Sequence, residues 1–304
     1  MPSRRQIREA VIQFLYCADL EGGADPAALR GPFWDFVTES DRRGLQIATF
    51  RTVHHLAHGR EGRLVEFVER QTTAFALLSA YPQAESLKSE LKRVAELESG
   101  WSTAFAKLER LPKDDDDASV AETFSAALAT LFMLDRELTV SRTRFLQGIE
   151  DFPALRGQLE AISASLRRLQ RISDRMRMVE EPEKFPEQAD LSRLRESKAE
   201  IQELRRMADH LVDAVLADKE TVDQTLASVV DNFAPERIDP VDRAILRLAT
   251  YEILHATAPP KVVMNEAIEL AKRFGTTDSK RFVNGVLDRI ARDAAAKSES
   301  QDVL

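Results

Sequence analysis

The chain has 304 residues, 43% of them hydrophobic and 31% charged, a mixture that excludes a disordered protein and gives enough chain for two domains. A formal net charge of -8 excludes indiscriminate nucleic-acid binding, which feeds on a broad positive field, and leaves room only for a local basic patch. The longest apolar stretch, Phe124 to Leu134, is too short to span a bilayer, and the single cysteine, Cys17, forms no internal disulfide, in keeping with a cytoplasmic location and no membrane partner.

Ser3-Arg4-Arg5-Gln6 reads as a capping box, and it opens a helix with Ile7, Ala10, Val11, Phe14, Leu15 and Ala18 on its apolar face. No signal peptide is expected ahead of it. Arg5, Ile12, Tyr16 and Leu20 fall on the other side of this helix, where lysines and glutamates are usual. Such a face suits another macromolecule, a tight homodimer or a further domain of the same chain equally well. His54, His55 and His58 have a spacing that would hold a metal on a helix, but no cysteine is near and the His-Glu-x-x-His pattern is missing, so they read as solvated and no metal is expected.

Helical spacing continues through Leu64, Phe67, Val68, Phe75 and Leu78, then Leu87, Leu91, Val94, Trp101, Phe105 and Leu108. Asp114 to Asp117 reads as a solvated loop before a further helix marked by Val120, Phe124, Leu128, Leu131, Leu138 and Phe145. Leu155, Leu159, Ile162, Leu166, Leu169, Ile172 and Met176 form the seam of a long helix. After the breaker EEPEKFPEQAD the rhythm resumes at Leu191, Leu194, Ile201, Leu204, Ala208, Leu211 and Val215, which predicts an antiparallel helical hairpin. No period-two run and no Asn-Gly turn is present, so the class is all-α.

The segment Pro235 to Asp293 is the most informative. Asp239 is suited to cap a helix with Pro240 at its first position; Val241, Ala244, Ile245, Leu248 and Ala249 form the buried face, while Asp242, Arg243 and Arg247 project elsewhere. A second helix runs from about Val262 to Phe274 and ends at Gly275. A third begins near Asp278, with Val283, Val286, Leu287 and Ile290 on one side and Arg281, Asn284 and Asp288 on the other. Gly285, costly in a helix interior by about 1 kcal/mol, predicts close approach by a packing neighbour or a ligand.

The strings NEAIELAKRFG and FVNGVLDRIA, and at the other end RRQIREAVIQFLYCADL, resemble the NusB family of bacterial transcription antitermination factors. The resemblance implies a compact bundle formed by residues 1–40 and 200–295, interrupted by an inserted all-helical, antiparallel, coiled-coil-like domain at 41–199, with residues 296–304 as a flexible tail. It also implies a non-catalytic RNA-binding factor that works with the small-subunit ribosomal protein NusE on boxA RNA of nascent transcripts, notably of ribosomal RNA operons, and so indirectly with RNA polymerase. Carried over by position, RNA contacts fall on Arg4, Arg5, Arg8, Lys261, Asp278, Arg281, Phe282 and Asn284, and partner contacts on Tyr16, Leu20, Asp242 and Arg247.

Other readings of these residues stay open. Phe282 is equally suited to wedge between helices, Asn284 to bridge its neighbours, Asp242 to serve the helix dipole, and Glu266 and Glu269 to form a solvated face. The alternative function is a helical protein–protein scaffold that keeps the NusB fold without binding RNA. No phosphate loop, nucleophile elbow or dinucleotide fingerprint is present, so no catalytic residue and no cofactor is expected. The ribosomal RNA methyltransferases with a NusB-like domain carry a separate α/β domain, which is not expected here.

Overall fold

The computed structural model describes residues 1–22, 25–113, 118–230 and 237–301, and the side chains of all of these but 118 and 297–301. The acidic run Asp114 to Asp117 lies outside the described residues. Eleven α-helices are described: α1 (Arg4–Leu20), α2 (Pro26–Val37), α3 (Glu39–Ser79), α4 (Glu85–Arg110), α5 (Ala118–Gly148), α6 (Pro153–Glu180), α7 (Ser192–Ala217), α8 (Lys219–Val229), α9 (Pro240–Leu254), α10 (Pro260–Phe274) and α11 (Ser279–Gln301). No strand occurs among the described residues, and no helix there is long and apolar enough to cross a membrane. α11 runs on to Gln301, into the residues expected as a tail.

The chain forms two compact units. One joins Met1–Ser40 to Ala199–Leu304, and the other is Asp41–Lys198.

In the first unit, local chemistry sets the helix starts. The Ser3 hydroxyl accepts from the Gln6 N–H and the Gln6 side chain accepts from the Ser3 N–H, a complete capping box. Asp25 and Asp239 each precede a proline at the first helical position and accept from the N–H two residues on, Ala27 at 3.0 Å and Val241 at 2.9 Å. The core draws Val11, Phe14 and Leu15 from α1, Phe33 and Trp34 from α2, Ala208, Val212 and Val215 from α7, Val222, Leu226 and Val229 from α8, and the apolar stripes of α9, α10 and α11. Phe14 and Phe33 meet edge to face, and the Trp34 indole donates to Asp209 at 2.9 Å, tying α2 to α7.

This core takes a wider arc of α1 than periodicity predicts. Ile12, expected on the outer side, is buried, and so is Arg8. The Arg8 guanidinium donates to both oxygens of Glu252 on α9, from Nε at 3.1 and 2.8 Å and from Nη2 at 2.8 Å.

The second unit is a bundle of α3 to α6 with the start of α7, and its apolar core falls into two clusters. One holds Phe50, Val53, Ala57, Trp101, Phe105, Leu138 and Met176; the other holds Phe67, Leu78, Leu87, Val94, Phe145, Leu159 and Leu169. Between them, at one level on all four helices, lies a buried polar layer of Arg60, Glu98, Arg142 and Ser173, joined by Asp135. Arg142 donates to Glu98 at 3.0 Å and to the Ser173 hydroxyl at 2.8 Å; Ser173 donates to Asp135 at 2.9 Å, and Arg60 also pairs with Glu98. The Arg60 guanidinium lies 3.8 Å from the centroid of Trp101. Burial brings Arg60 down to about 10 and raises the Asp135 carboxyl above its ordinary value. Two positive and two negative groups thus share one buried layer, where a slip of any helix along its axis would strand a charge.

Two local expectations fail here. Val68 is exposed, because α3 turns Phe67 and not its neighbour inward. α6 lies against α5, and Ala208, Val212 and Val215 of α7 belong to the other core, so the expected α6–α7 hairpin does not run along these two helices.

Candidate nucleic-acid interface

The residues expected to bind RNA separate into three environments. Arg8 is removed from the set: its side chain is 7% exposed and both oxygens of Glu252 occupy its guanidinium. A phosphate cannot reach it without breaking a buried ion pair. Arg5 is half-exposed and holds Glu266 of α10 in a two-pronged pair, 2.9 Å from Nε and 2.9 Å from Nη2. The Arg5 hydrogen bond holds the Glu266 carboxyl below its ordinary range and raises the guanidinium above its own. Glu266 is therefore a fixed partner and not merely a solvated side chain.

Arg4, Lys261, Asp278, Arg281 and Asn284 are exposed, and none of them has an ion-pair partner among the described residues. Phe282 is half-buried and packs against the edge of the core.

α10 is what brings the distant ends of the chain to one side of this unit. Arg5 and Arg273 link α1 to α10 through Glu266 and Glu9. The Glu269 carboxyl is held down chiefly by Lys272, with further attraction from Arg5 on α1 and Lys280 on α11. The strip is mixed in sign.

The corner between α10 and α11 is tightly specified. A Cβ on Gly275 would lie 2.5 Å from both Cβ and Oγ of Ser279, so only glycine fits. The Ser279 hydroxyl accepts from the Thr276 N–H at 2.8 Å, and its attraction partly offsets the burial of the Asp242 carboxyl of α9. Asp242 is buried, its Oδ1 has no partner among the described residues, and burial raises its pKa. Arg247 is buried too, donating to Asp223 from Nε at 2.7 Å and to Asp19 from Nη1 at 2.7 Å. Both side chains are buried, Arg247 in ion pairs, which corrects their expected role as partner contacts. Of that set only Tyr16, half-buried, and Leu20, 58% exposed, remain at the surface.

Beyond this corner, Asp278, Arg281, Phe282, Gly285, Val286 and Arg289 of α11 face Val229 and Val230 at the end of α8 across an open groove of about 600 Å³. Gly285 lines it, and among the described residues a Cβ there would meet nothing within 4 Å. Sequence reasoning missed Arg289, Val229 and Val230. The signal for Arg289 was available, since 278, 282, 285 and 289 lie on one helical stripe.

The NusB family model matches residues 163–292. The transcription antitermination protein NusB of Syntrophotalea carbinolica is 44% identical over 97 residues, 32% of this chain and 62% of that protein. That of Macrococcus caseolyticus is 41% identical over 88 residues, 29% of this chain and 68% of that protein. A solved structure of T. maritima NusB is 35% identical and covers 36% of this chain and 81% of its own, with a TM-score of 0.30. The chain thus spans about 62% of the length of the Syntrophotalea relative and somewhat more of the Macrococcus one. With that degree of identity over two thirds of a relative, the chain belongs to the NusB family.

Proposed function

We propose that this protein is a non-catalytic, RNA-binding transcription antitermination factor. With the ribosomal protein NusE it holds boxA RNA of nascent transcripts, above all of ribosomal RNA operons, and helps RNA polymerase pass terminators. Family membership supports the antitermination role. The observation that carries RNA binding is the start of α11, where Arg281 and Phe282 stand beside Asp278 on the edge of one groove, the cation unpaired among the described residues and the ring half-open. Guanidinium groups at Arg4 and Arg281 and the ammonium of Lys261 contact phosphates, a salt-dependent and largely sequence-independent contribution. The Phe282 ring stacks a base, and Asp278 and Asn284 meet base edges. Tyr16 and Leu20 face the protein partner.

A gel-shift titration of this protein with NusE against boxA-like and scrambled RNA tests the proposal; equal binding of the two RNAs counts against it. Charge reversal at Arg4 and Arg281 separates it from the scaffold alternative, which the internal pairing of Arg8 and Arg5 favours. Loss of RNA binding with NusE binding retained supports the RNA reading, and unchanged RNA binding supports the scaffold.

A further inference from the structure

We infer that the outer face of α3 pairs with the same face of a second copy of this chain, antiparallel, about a two-fold axis that passes between Arg63 and Leu64. Self-pairing of this kind is independent of RNA binding and stands or falls apart from it.

α3 carries apolar side chains on its solvent side as well as its core side. Its neighbour α4 shows the ordinary solvated face, with Lys92, Arg93 and Glu96 outward. On α3, by contrast, Val65 is 57% and Val68 51% exposed. His55, His58, Gly62, Val65, Glu69 and Thr72 are all exposed and follow one another in alternating steps of three and four residues, the spacing of a helix–helix seam.

The order of residues along this seam says what covers it. Reversed about the point between Arg63 and Leu64, the seam meets itself with a match at each level: Gly62 opposite Val65, His58 opposite Glu69, His55 opposite Thr72. The valine fills the space that glycine leaves, and each imidazole meets an oxygen. Within one chain these polar groups are under-used. Glu69 has no ion-pair partner among the described residues, and His58 Nδ1 lies 3.9 Å from Glu61, beyond hydrogen-bond reach. In the pair, an N–H of His58 donates to the partner's Glu69 whatever the charge on the ring. Two-fold symmetry makes every such contact twice. An unrelated protein would give this face no reason to match its own reverse.

Gly62 is a separate observation. Among the described residues a Cβ there would meet nothing within 4 Å, so packing inside the chain does not demand a glycine, which costs a helix interior about 1 kcal/mol relative to alanine. On a seam, the same glycine lets a second backbone come close. From His55 to Thr72 the seam runs about 25 Å, a small interface, which places the dissociation constant at about 1–100 µM.

The test is sedimentation velocity of the full chain over a range of concentrations, with circular dichroism to show that each variant keeps its helices. The wild type should dimerise reversibly. His58→Glu sets like charges against each other at both copies of the contact and should weaken the dimer about tenfold, and adding Glu69→Lys to it should restore wild-type affinity. Oxidative cross-linking in a Cys17→Ala background reads the register. A mixture of His55→Cys and Thr72→Cys chains should form a disulfide between the two kinds of chain, whereas either alone should not, since like positions lie about 25 Å apart in the antiparallel pair. A wild type that stays monomeric at about 500 µM overturns the inference. So does a His58→Glu variant that dimerises as well as the wild type, a double variant that is not restored, or a disulfide between two His55→Cys chains, which would mean parallel pairing.

Discussion

Replacing Arg8 by methionine keeps the length of its apolar stem and removes its charge, leaving the Glu252 carboxylate buried with its side chain 7% exposed and its bidentate donor gone. Breaking a buried pair from one side costs about 3–5 kcal/mol, a large part of the ~5–15 kcal/mol that holds an ordinary domain together. Removing both partners is a different perturbation. In Arg8→Met with Glu252→Met, no charge is stranded and two flexible apolar side chains fill the space, so the double variant should lie within about 1–2 kcal/mol of the wild type. The cycle is read by urea denaturation of the four proteins, followed by circular dichroism, and the coupling between the sites should exceed about 2 kcal/mol. The same proteins titrated with RNA over a range of salt give the second reading. The double variant should keep the wild-type slope, whereas Arg4→Gln lowers it by about 0.7. An Arg8→Met variant that loses less than about 1 kcal/mol of stability, yet flattens the salt slope as much as Arg4→Gln, would refute the assignment of Arg8 to the interior.

Gly275→Ala should destabilise by about 1–3 kcal/mol because its methyl group overlaps Ser279, while Gly285→Ala should stabilise by about 0.5–1 kcal/mol, both read from urea midpoints. Glu98→Leu strands two guanidiniums in the polar layer of the second unit and should cost about 3–5 kcal/mol; a smaller loss than that of an exposed Glu61→Leu control would contradict the layer. Asp242 has a raised pKa in the folded state, so the unfolded chain ionises first as pH rises from about 4. Stability is then lost as pH rises between the unfolded and folded values and is level above them; Asp242→Asn should flatten that fall in midpoint-against-pH curves. Glu266 has the opposite sign: its depressed pKa contributes stability above the unfolded value that is lost as pH falls through the folded one, and Arg5→Gln should abolish that loss.

Helices with a narrow apolar stripe were readable from the sequence, and α4, α6, α9, α10 and the start of α11 lie where their periodicity puts them. α2 was missed because Gly31 and Pro32 look like breakers, although Asp25-Pro26 carries the same start signal as Asp239-Pro240. Of the first half of α3 only the helical spacing of His54 to His58 was legible, because Gly44, Gly59 and Gly62 interrupt it and its histidines dilute the apolar pattern. The charged interior was the least legible part. Arg8, Arg247, Arg60, Glu98 and Arg142 look solvent-facing one at a time, and they become core only where a partner on another helix neutralises them. Arg8 was nevertheless in register with Val11, Ile12 and Leu15, so its place on a buried stripe was written in the spacing. The groove residues on α8 had no sequence signal, since valines at a helix end look the same whether they face a cavity or a core.

The span between Arg8 and Glu252, 244 residues, also sets a timetable. At about 5–20 residues per second of synthesis, α1 leaves the ribosome roughly 10–50 s before the helix it needs. Phe14, Phe33 and Trp34 wait uncovered through that interval, while the compact unit Asp41–Lys198 can close its own core first. A nascent chain of this kind presents sticky surface to the cell for longer than its size alone would suggest, and its yield should depend on whatever shields those aromatics during translation.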